Sequence, residues 1–191
     1  GHGTLGKNAL NIKFKGASST ADAALTLDSY TTNSVGDGNW HHYAVTLKSN
    51  STNKVTTKLF IDSVLHKEQE ITFPASDWTE IDSNTYGLLA TLGAGSGHHL
   101  PTGKGDGQLF SASVDEFRFW KTERNGKQIG QNWFTPIGGG TDDSLDNIDL
   151  GVYFKFNEGI TLTASTDSTI LDYSGRMSNG TFVGYHANTR N

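Results

Sequence analysis

The chain has 191 residues, a mass of 20.6 kDa and a formal net charge of −5 at pH 7, and it contains no cysteine. This length suits one globular domain, and the missing cysteine excludes disulfide frameworks, thiolate zinc sites and cysteine nucleophiles. The acidic balance and scattered basic residues argue against a nucleic-acid partner, which would require a basic stripe. No apolar run approaches the roughly 20 residues that span a bilayer, so no membrane insertion is predicted.

Apolar and polar residues alternate with a period of two in several runs separated by turn residues, which predicts an all-β sandwich. The first half of the chain carries such runs at residues 10–14, 25–27, 40–48 and 55–62. Only the polar residues 49–54 separate the last two runs, so these are predicted to pair as a hairpin. One face of the second hairpin strand is predicted to consist of four residues: Val55, Thr57, Leu59 and Ile61.

The second half of the chain carries further strand patterns at residues 86–92, 110–120, 152–156 and 181–183. Six glycines and one proline in residues 93–107 predict a long surface loop. Thr122 is predicted to cap one short helix near residues 122–133, on which Ile129 and Trp133 lie one turn apart. The glycine run that begins at Gly138 ends this segment.

Four segments resemble, in this order, laminin-G-like and pentraxin-like modules of the concanavalin A-type lectin/glucanase superfamily. They read GDGNWHHYAVT at 36–46, KLFIDS at 58–63, SVDEFRFW at 113–120 and YFKFNEG at 153–159. In the second segment, Ser63 stands in place of the family's turn glycine. The resemblance implies an antiparallel jelly-roll β-sandwich. The fourth segment usually begins such a module, so either residues 1–191 form one permuted domain or residues 150–191 open a following copy.

The same resemblance implies a non-catalytic carbohydrate-binding or adhesion module of a larger protein that is secreted or displayed on the cell surface. Its expected partners are a glycan or glycosylated surface and neighbouring domains of the same polypeptide. The chain begins with Gly1 rather than methionine, which fits a processed product or an excerpt. The alternative class is a structural spacer or self-associating module that has no glycan ligand.

Several residues are predicted to support the fold. By resemblance His41 and His42 belong to the framework, and they cannot share one metal because adjacent strand residues point in opposite directions. Glu116 and Arg118 are predicted to lie on one side of a strand, where they form an ion pair or hold neighbouring loops through hydrogen bonds. Three tryptophans are assigned to the core or to helix packing: Trp40, Trp120 and Trp133.

A sugar site requires an aromatic face and a few fixed polar groups. Trp78 and Tyr86 flank Asp82 and Asn84 in a polar stretch, and the glycine-rich loop adds two histidines that could meet the ligand. The candidate sugar-binding residues are therefore Trp78, Asp82, Asn84, Tyr86, His98 and His99.

Calcium prefers several oxygen ligands, and an acidic loop offers carboxylates at close spacing through Asp142, Asp143 and Asp146. This loop is the candidate calcium site. A weaker alternative, glycoside hydrolase, depends on Glu80 and Asp82, because retaining glycosidases use paired carboxylates. The third acidic residue that glucanases of this fold carry is replaced here by Ser83, Asn84 and Thr85, so no catalytic residue is assigned.

Overall fold

The structure is a computed structural model, and it describes residues 39–51, 53–72, 113–140, 147–157 and 169–181. These ranges contain seven β-strands and one short α-helix, so the described part of the protein is rich in strands, as predicted. The chain divides into two compact units, residues 1–111 and residues 112–191. The predicted strands at 10–14, 25–27 and 86–92 and the loop at 93–107 lie outside the described residues.

The first unit contains an antiparallel sheet of strands β1 (Tyr43–Ser51), β2 (Lys54–Ile61) and β3 (Val64–Thr72), in that order. The predicted hairpin of the first two strands is confirmed, with Tyr43 opposite Ile61. The four residues that alternation placed on one face of β2 are all buried: Val55, Thr57, Leu59 and Ile61.

Strand β3 was absent from the prediction, because its sequence VLHKEQEIT carries charges where a strand usually alternates. It pairs with β2 from Val64 to Thr72, with a register shift at His66, and two of its glutamates lie near lysines of β2. Lys54 Nζ lies 2.8 Å from Glu70 Oε1, and Lys58 Nζ lies 3.6 Å from Glu68 Oε1. Opposite charges on neighbouring strands support pairing, so the polar sequence is compatible with a strand.

A two-residue turn connects β2 to β3. Asp62 and Ser63 have φ angles of 48° and 67°, so both adopt the left-handed conformation of a type I′ hairpin turn. Glycine is favoured there because it adopts a positive φ without the steric cost that a Cβ introduces. Ser63 therefore occupies a position that favours glycine, as the resemblance of the segment at 58–63 indicated.

Substitution of Ser63 by glycine should increase the free energy of unfolding. The left-handed conformation costs an ordinary residue about 1–2 kcal/mol, and the greater freedom of glycine in the unfolded chain offsets part of this, so we expect a gain of about 0.5–1 kcal/mol. Urea denaturation measures the change. Lys48→Gly, in the regular part of β1 opposite Thr56, is the control and should lower stability; a loss of stability in both variants would contradict the turn assignment.

The second unit contains strand β4 (Phe117–Trp120) paired antiparallel with β5 (Leu150–Phe154). Phe119 lies opposite Val152 and Trp120 lies opposite Leu150, so Gly151 has no partner and forms a β-bulge. The bulge lets Leu150 and Tyr153 point to the same side although they are three residues apart. Both are buried with Ile137 in a core cluster, against which Trp120 and Tyr173 pack.

Strand β4 is shorter than the predicted run of residues 110–120, because Glu116 adopts a φ of 54° and residues 113–116 are not in a strand. Likewise β5 ends at Phe154, and Phe156 has a φ of 52°. A second pair of strands consists of β6 (Thr169–Ile170) and β7 (Gly180–Thr181). Strand β7 includes Thr181, the first residue of the last predicted strand, whose residues 182–183 lie outside the described residues, and β6 was absent from the prediction.

Helix α1 (Gly126–Asn132) lies within the predicted range, but the predicted cap is wrong. Asn125 caps the helix: its Oδ1 accepts from Gln128 N at 3.0 Å, and the Gln128 side chain accepts from Asn125 N at 3.0 Å. This reciprocal capping box satisfies two backbone donors, whereas Thr122 lies too far upstream. The Thr122 hydroxyl instead donates to Asp149 Oδ2 at 3.3 Å.

Two of the three tryptophan assignments are also wrong. Trp40 is 70% exposed and Trp133 is 37% exposed, so neither is a core residue. Trp133 occupies the C-cap of α1 and follows the last helical turn rather than continuing it beside Ile129, which is buried. Trp120 packs against the core cluster as predicted.

The glycine run after the helix packs tightly against the core. Gly139 N donates to Asn147 Oδ1 at 3.0 Å, and Asn147 Nδ2 donates to Gly139 O at 2.7 Å. Gly139 has a φ of 70°, and a Cβ there would overlap the Tyr173 carbonyl oxygen and press on the Tyr153 ring. Gly140 N donates to that same carbonyl at 3.0 Å.

Alanine substitutions along this run should have graded effects on stability. At Gly138 the nearest atom to a new Cβ lies at 3.7 Å, so the cost should be small. At Gly140, with a φ of 81° and open space around it, only backbone strain of about 1–2 kcal/mol applies. At Gly139 strain and overlap combine, so a loss of about 3 kcal/mol or more is expected. Chemical denaturation measures the order, and equal effects at the three positions would contradict this packing.

Candidate ligand-binding surface

The residues that sequence reasoning selected for sugar and calcium binding lie outside the described residues, so those assignments stay predictions. They are Trp78, Asp82, Asn84, Tyr86, His98, His99, Asp142, Asp143 and Asp146. Glu80, the other hydrolase candidate, also lies outside. Within the described ranges, no group of three or more histidine or acidic side chains is placed to hold a metal ion.

His41 and His42 are tied to the turn between β2 and β3. His41 Nδ1 lies 2.7 Å from Asp62 Oδ2, and His42 N donates to Asp62 Oδ1 at 2.9 Å. Burial raises the pKa of Asp62, but the hydrogen bonds and charges of the two histidines outweigh burial and hold the pKa below its ordinary value. This arrangement confirms the framework role: the pair fixes the start of β1 to the hairpin turn.

Glu116 and Arg118 form the predicted ion pair, at the start of β4. Arg118 Nη2 donates to Glu116 Oε2 at 2.6 Å, and the Tyr153 hydroxyl donates to the same oxygen at 2.7 Å. The Arg118 side chain is 8% exposed. Burial and the neighbouring Glu116 carboxylate raise the pKa of Tyr153 to about 12, so its hydroxyl stays a hydrogen-bond donor over the ordinary pH range.

The same guanidinium holds the segment that follows α1. Arg118 Nη1 donates to Asn132 O at 2.8 Å, and Arg118 Nη2 donates to Thr135 O at 2.7 Å. The two carbonyls flank Trp133 and Phe134, whose ring centroids lie 5.4 Å apart with the ring planes at 78°. Phe134 is 67% exposed, so a fixed backbone presents two aromatic rings to solvent. We call Trp133 and Phe134 the aromatic ledge.

Asp172 organises the segment between β6 and β7. Its Oδ1 accepts from Tyr153 N at 2.9 Å and from Ser174 N at 2.8 Å. Its Oδ2 accepts from the Ser174 hydroxyl at 2.8 Å and from Ser178 N at 2.9 Å. Burial raises the pKa of Asp172, but these four bonds favour the charged form more strongly and keep the pKa below its ordinary value.

Lys155 lies between two tyrosine rings of the second unit. Its Nζ is 5.1 Å from the Tyr153 ring centroid and 4.8 Å from the Tyr173 ring centroid. Both distances are within the range of cation–π attraction. Tyr173 N donates to Tyr153 O at 2.8 Å, so the two rings are also joined through their backbones.

The aromatic ledge is the exposed aromatic pair that sequence reasoning missed. A helical spacing of four residues assigned Trp133 to the side of Ile129, but α1 ends at Asn132. One signal was available in the sequence. Trp133 and Phe134 are adjacent at a helix end, where two neighbouring large side chains cannot both face one core.

Comparison with known proteins assigns the family. A family model of laminin G type, described as the concanavalin A-like lectin/glucanases superfamily, matches residues 3–130, which is more than half of the chain. The protein therefore belongs to this superfamily, whose fold is a β-sandwich, and the strand-rich described part agrees with it. No curated protein and no solved structure matches the chain. In the part of the chain that the structure describes, no helix is long and apolar enough to cross a membrane.

Replacement of Asp172 by asparagine should destabilise the protein at neutral pH, because an amide cannot accept four hydrogen bonds. We expect a loss of about 2–3 kcal/mol. Since folding lowers the pKa of Asp172 below 3.8, its contribution is present above that pH and is lost as the pH falls through the folded-state pKa.

Urea denaturation of both proteins at pH 7 and at pH 2–3 tests this dependence. The difference in unfolding free energy between them should shrink at the acid pH. Asp115→Asn is the matched control, because that exposed side chain accepts only from Glu116 N, at 2.9 Å, among the bonds described. A difference that is constant with pH would contradict the role of the Asp172 charge.

Proposed function

We propose that this protein is a non-catalytic carbohydrate-binding or adhesion module of a larger extracellular protein, built as an antiparallel jelly-roll β-sandwich. Its partners are a glycan or glycosylated surface and the neighbouring domains of its own polypeptide. Membership of a superfamily named for lectins and glucanases supports a carbohydrate ligand. The contacts of the carboxylates favour binding over hydrolysis.

The observation that carries the choice is that three carboxylates in the described part of the chain bind groups of the fold. Retaining glycosidases require two carboxyl groups about 5–5.5 Å apart, facing the substrate. In the described part of the chain, Asp62 and Asp172 accept internal bonds at both carboxylate oxygens, and Glu116 accepts two at Oε2. Glu80 and Asp82 form the remaining candidate pair, and the sequence after them offers no third carboxylate. These observations favour binding.

The proposed sugar site uses the side chains selected from the sequence. Trp78 and Tyr86 would cover the apolar face of a sugar ring, and Asp82 and Asn84 would bond its hydroxyls, with His98 and His99 alongside. Asp142, Asp143 and Asp146 provide carboxylate oxygens within five positions, a donor set that suits Ca²⁺. Calcium bound there would hold the loop in place.

Glycan-array binding, performed with calcium and with a chelator, tests this proposal. We expect the protein to bind a defined set of glycans and Trp78→Ala to lose that binding. Trp40→Ala is the matched control, because Trp40 is 70% exposed and belongs to no proposed site. Calcium should raise the thermal unfolding temperature, because a ligand at a hundredfold excess over its dissociation constant stabilises a protein by about 2.7 kcal/mol.

Three outcomes would contradict parts of this proposal. Polysaccharide cleavage that Glu80→Gln abolishes would establish the hydrolase instead. An array without any binding, together with concentration-dependent association, would favour the structural spacer. Identical unfolding with calcium and with chelator would remove the metal from the proposed site.

A further inference from the structure

The aromatic ledge combines exposure with a fixed geometry. Trp133 and Phe134 are 37% and 67% exposed, so both rings keep a large apolar area in water. Single exposed apolar residues are ordinary, but adjacent rings at a defined angle form a small continuous surface. The ring planes stand at 78°, which makes an open corner rather than a flat patch.

A partly buried ion pair holds the backbone on both sides of this corner. Arg118 fixes the carbonyls of Asn132 and Thr135, on either side of the two rings, and Glu116 in turn fixes Arg118. The capping box at Asn125 and the burial of Ile129 anchor the preceding helix. A surface that is already ordered loses little conformational entropy when a ligand binds, so the ledge is preorganised for binding.

The size of the ledge limits its occupant. A stable protein interface buries about 800 Å² on each partner, and two aromatic residues bury about 150–250 Å² each even when fully covered. The ledge therefore fits a ligand of about one ring. A pyranose is such a ligand, because it has an apolar face of C–H groups and a rim of hydroxyls.

The surroundings of the ledge match a neutral sugar. The flanking residues Gln131, Asn132 and Thr135 are polar and uncharged, and Gln131 is exposed. The guanidinium beneath is 8% exposed and neutralised by Glu116, so it offers no free positive charge to an anionic group. Hydroxyl groups around a stacked ring would meet neutral donors and acceptors.

We propose that Trp133 and Phe134 form a second sugar-binding subsite, which takes a neutral pyranose unit of a polysaccharide by stacking on the aromatic rings. This inference rests on the proposed function and adds a contact outside the residues selected from the sequence. Two separate contacts on one polymer would increase the apparent affinity for long chains over short ones.

Affinity electrophoresis in native gels containing laminarin, xylan, mannan or galactan tests the subsite. The unmodified protein should be retarded in at least one gel. Trp133→Ala and Phe134→Ala should each weaken the apparent affinity about tenfold, the change that corresponds to about 1.4 kcal/mol. Phe134→Tyr should retain binding because it keeps the ring. Met177→Ala is the matched control: Met177 is 86% exposed in the same unit, and its loss should change nothing.

The outcomes separate this inference from the proposed function. Retardation that Trp78→Ala abolishes and both ledge variants leave unchanged would overturn the subsite and keep the function. No retardation of the unmodified protein in any gel, with no binding on the array, would overturn both. Self-association that Phe134→Ala abolishes in sedimentation velocity would overturn the sugar ligand in favour of a second copy of this chain.

Discussion

The second unit depends on one guanidinium. Arg118 binds Glu116, which precedes β4, and the carbonyls of Asn132 and Thr135, which follow α1. The Tyr153 hydroxyl donates to the same carboxylate, so the ion pair also contacts the buried side chain of β5. Truncation of Arg118 would leave two carbonyls without this donor and a partly buried carboxylate without its cation, and broken buried pairs are costly. The position of the helix and the presentation of its last residues follow from this contact.

The sequence predicted the elements whose information is local. Alternation identified β1, β2 and the face of β2 that carries Leu59, and the family resemblance placed Ser63 at a turn-glycine position. It failed where pairing partners decide the structure. Strand β3 forms because the turn returns the chain onto β2, where Glu70 meets Lys54. No pattern within the sequence of β3 predicts this pairing. The bulge at Gly151 likewise depends on register.

The candidate sites likewise divide into features that the local sequence predicts and features that only the fold brings together. The ion pair of Glu116 and Arg118 was predicted on the premise that both residues lie on one strand, but Glu116 precedes β4 and has a φ of 54°. The aromatic ledge was not predicted, because a donor 14 to 17 residues away fixes its backbone, and only the fold brings these residues together. The loop residues selected for sugar and calcium, such as Trp78 and Asp142, were chosen by chemistry alone. Convergence of such side chains is a property of three-dimensional structure.

The segment around Asp172 has a consequence for how this sequence can change in evolution. One carboxylate directs the path of the chain by binding backbone groups and the Ser174 hydroxyl, while Arg176 Nε donates to Leu150 O at 2.7 Å. The Met177 side chain takes no part in this order and projects into solvent. Among residues that tolerate its φ of 60°, residue 177 can therefore diverge in descendants of this sequence while the loop keeps its path, whereas a change at residue 172 removes the bonds that direct the path.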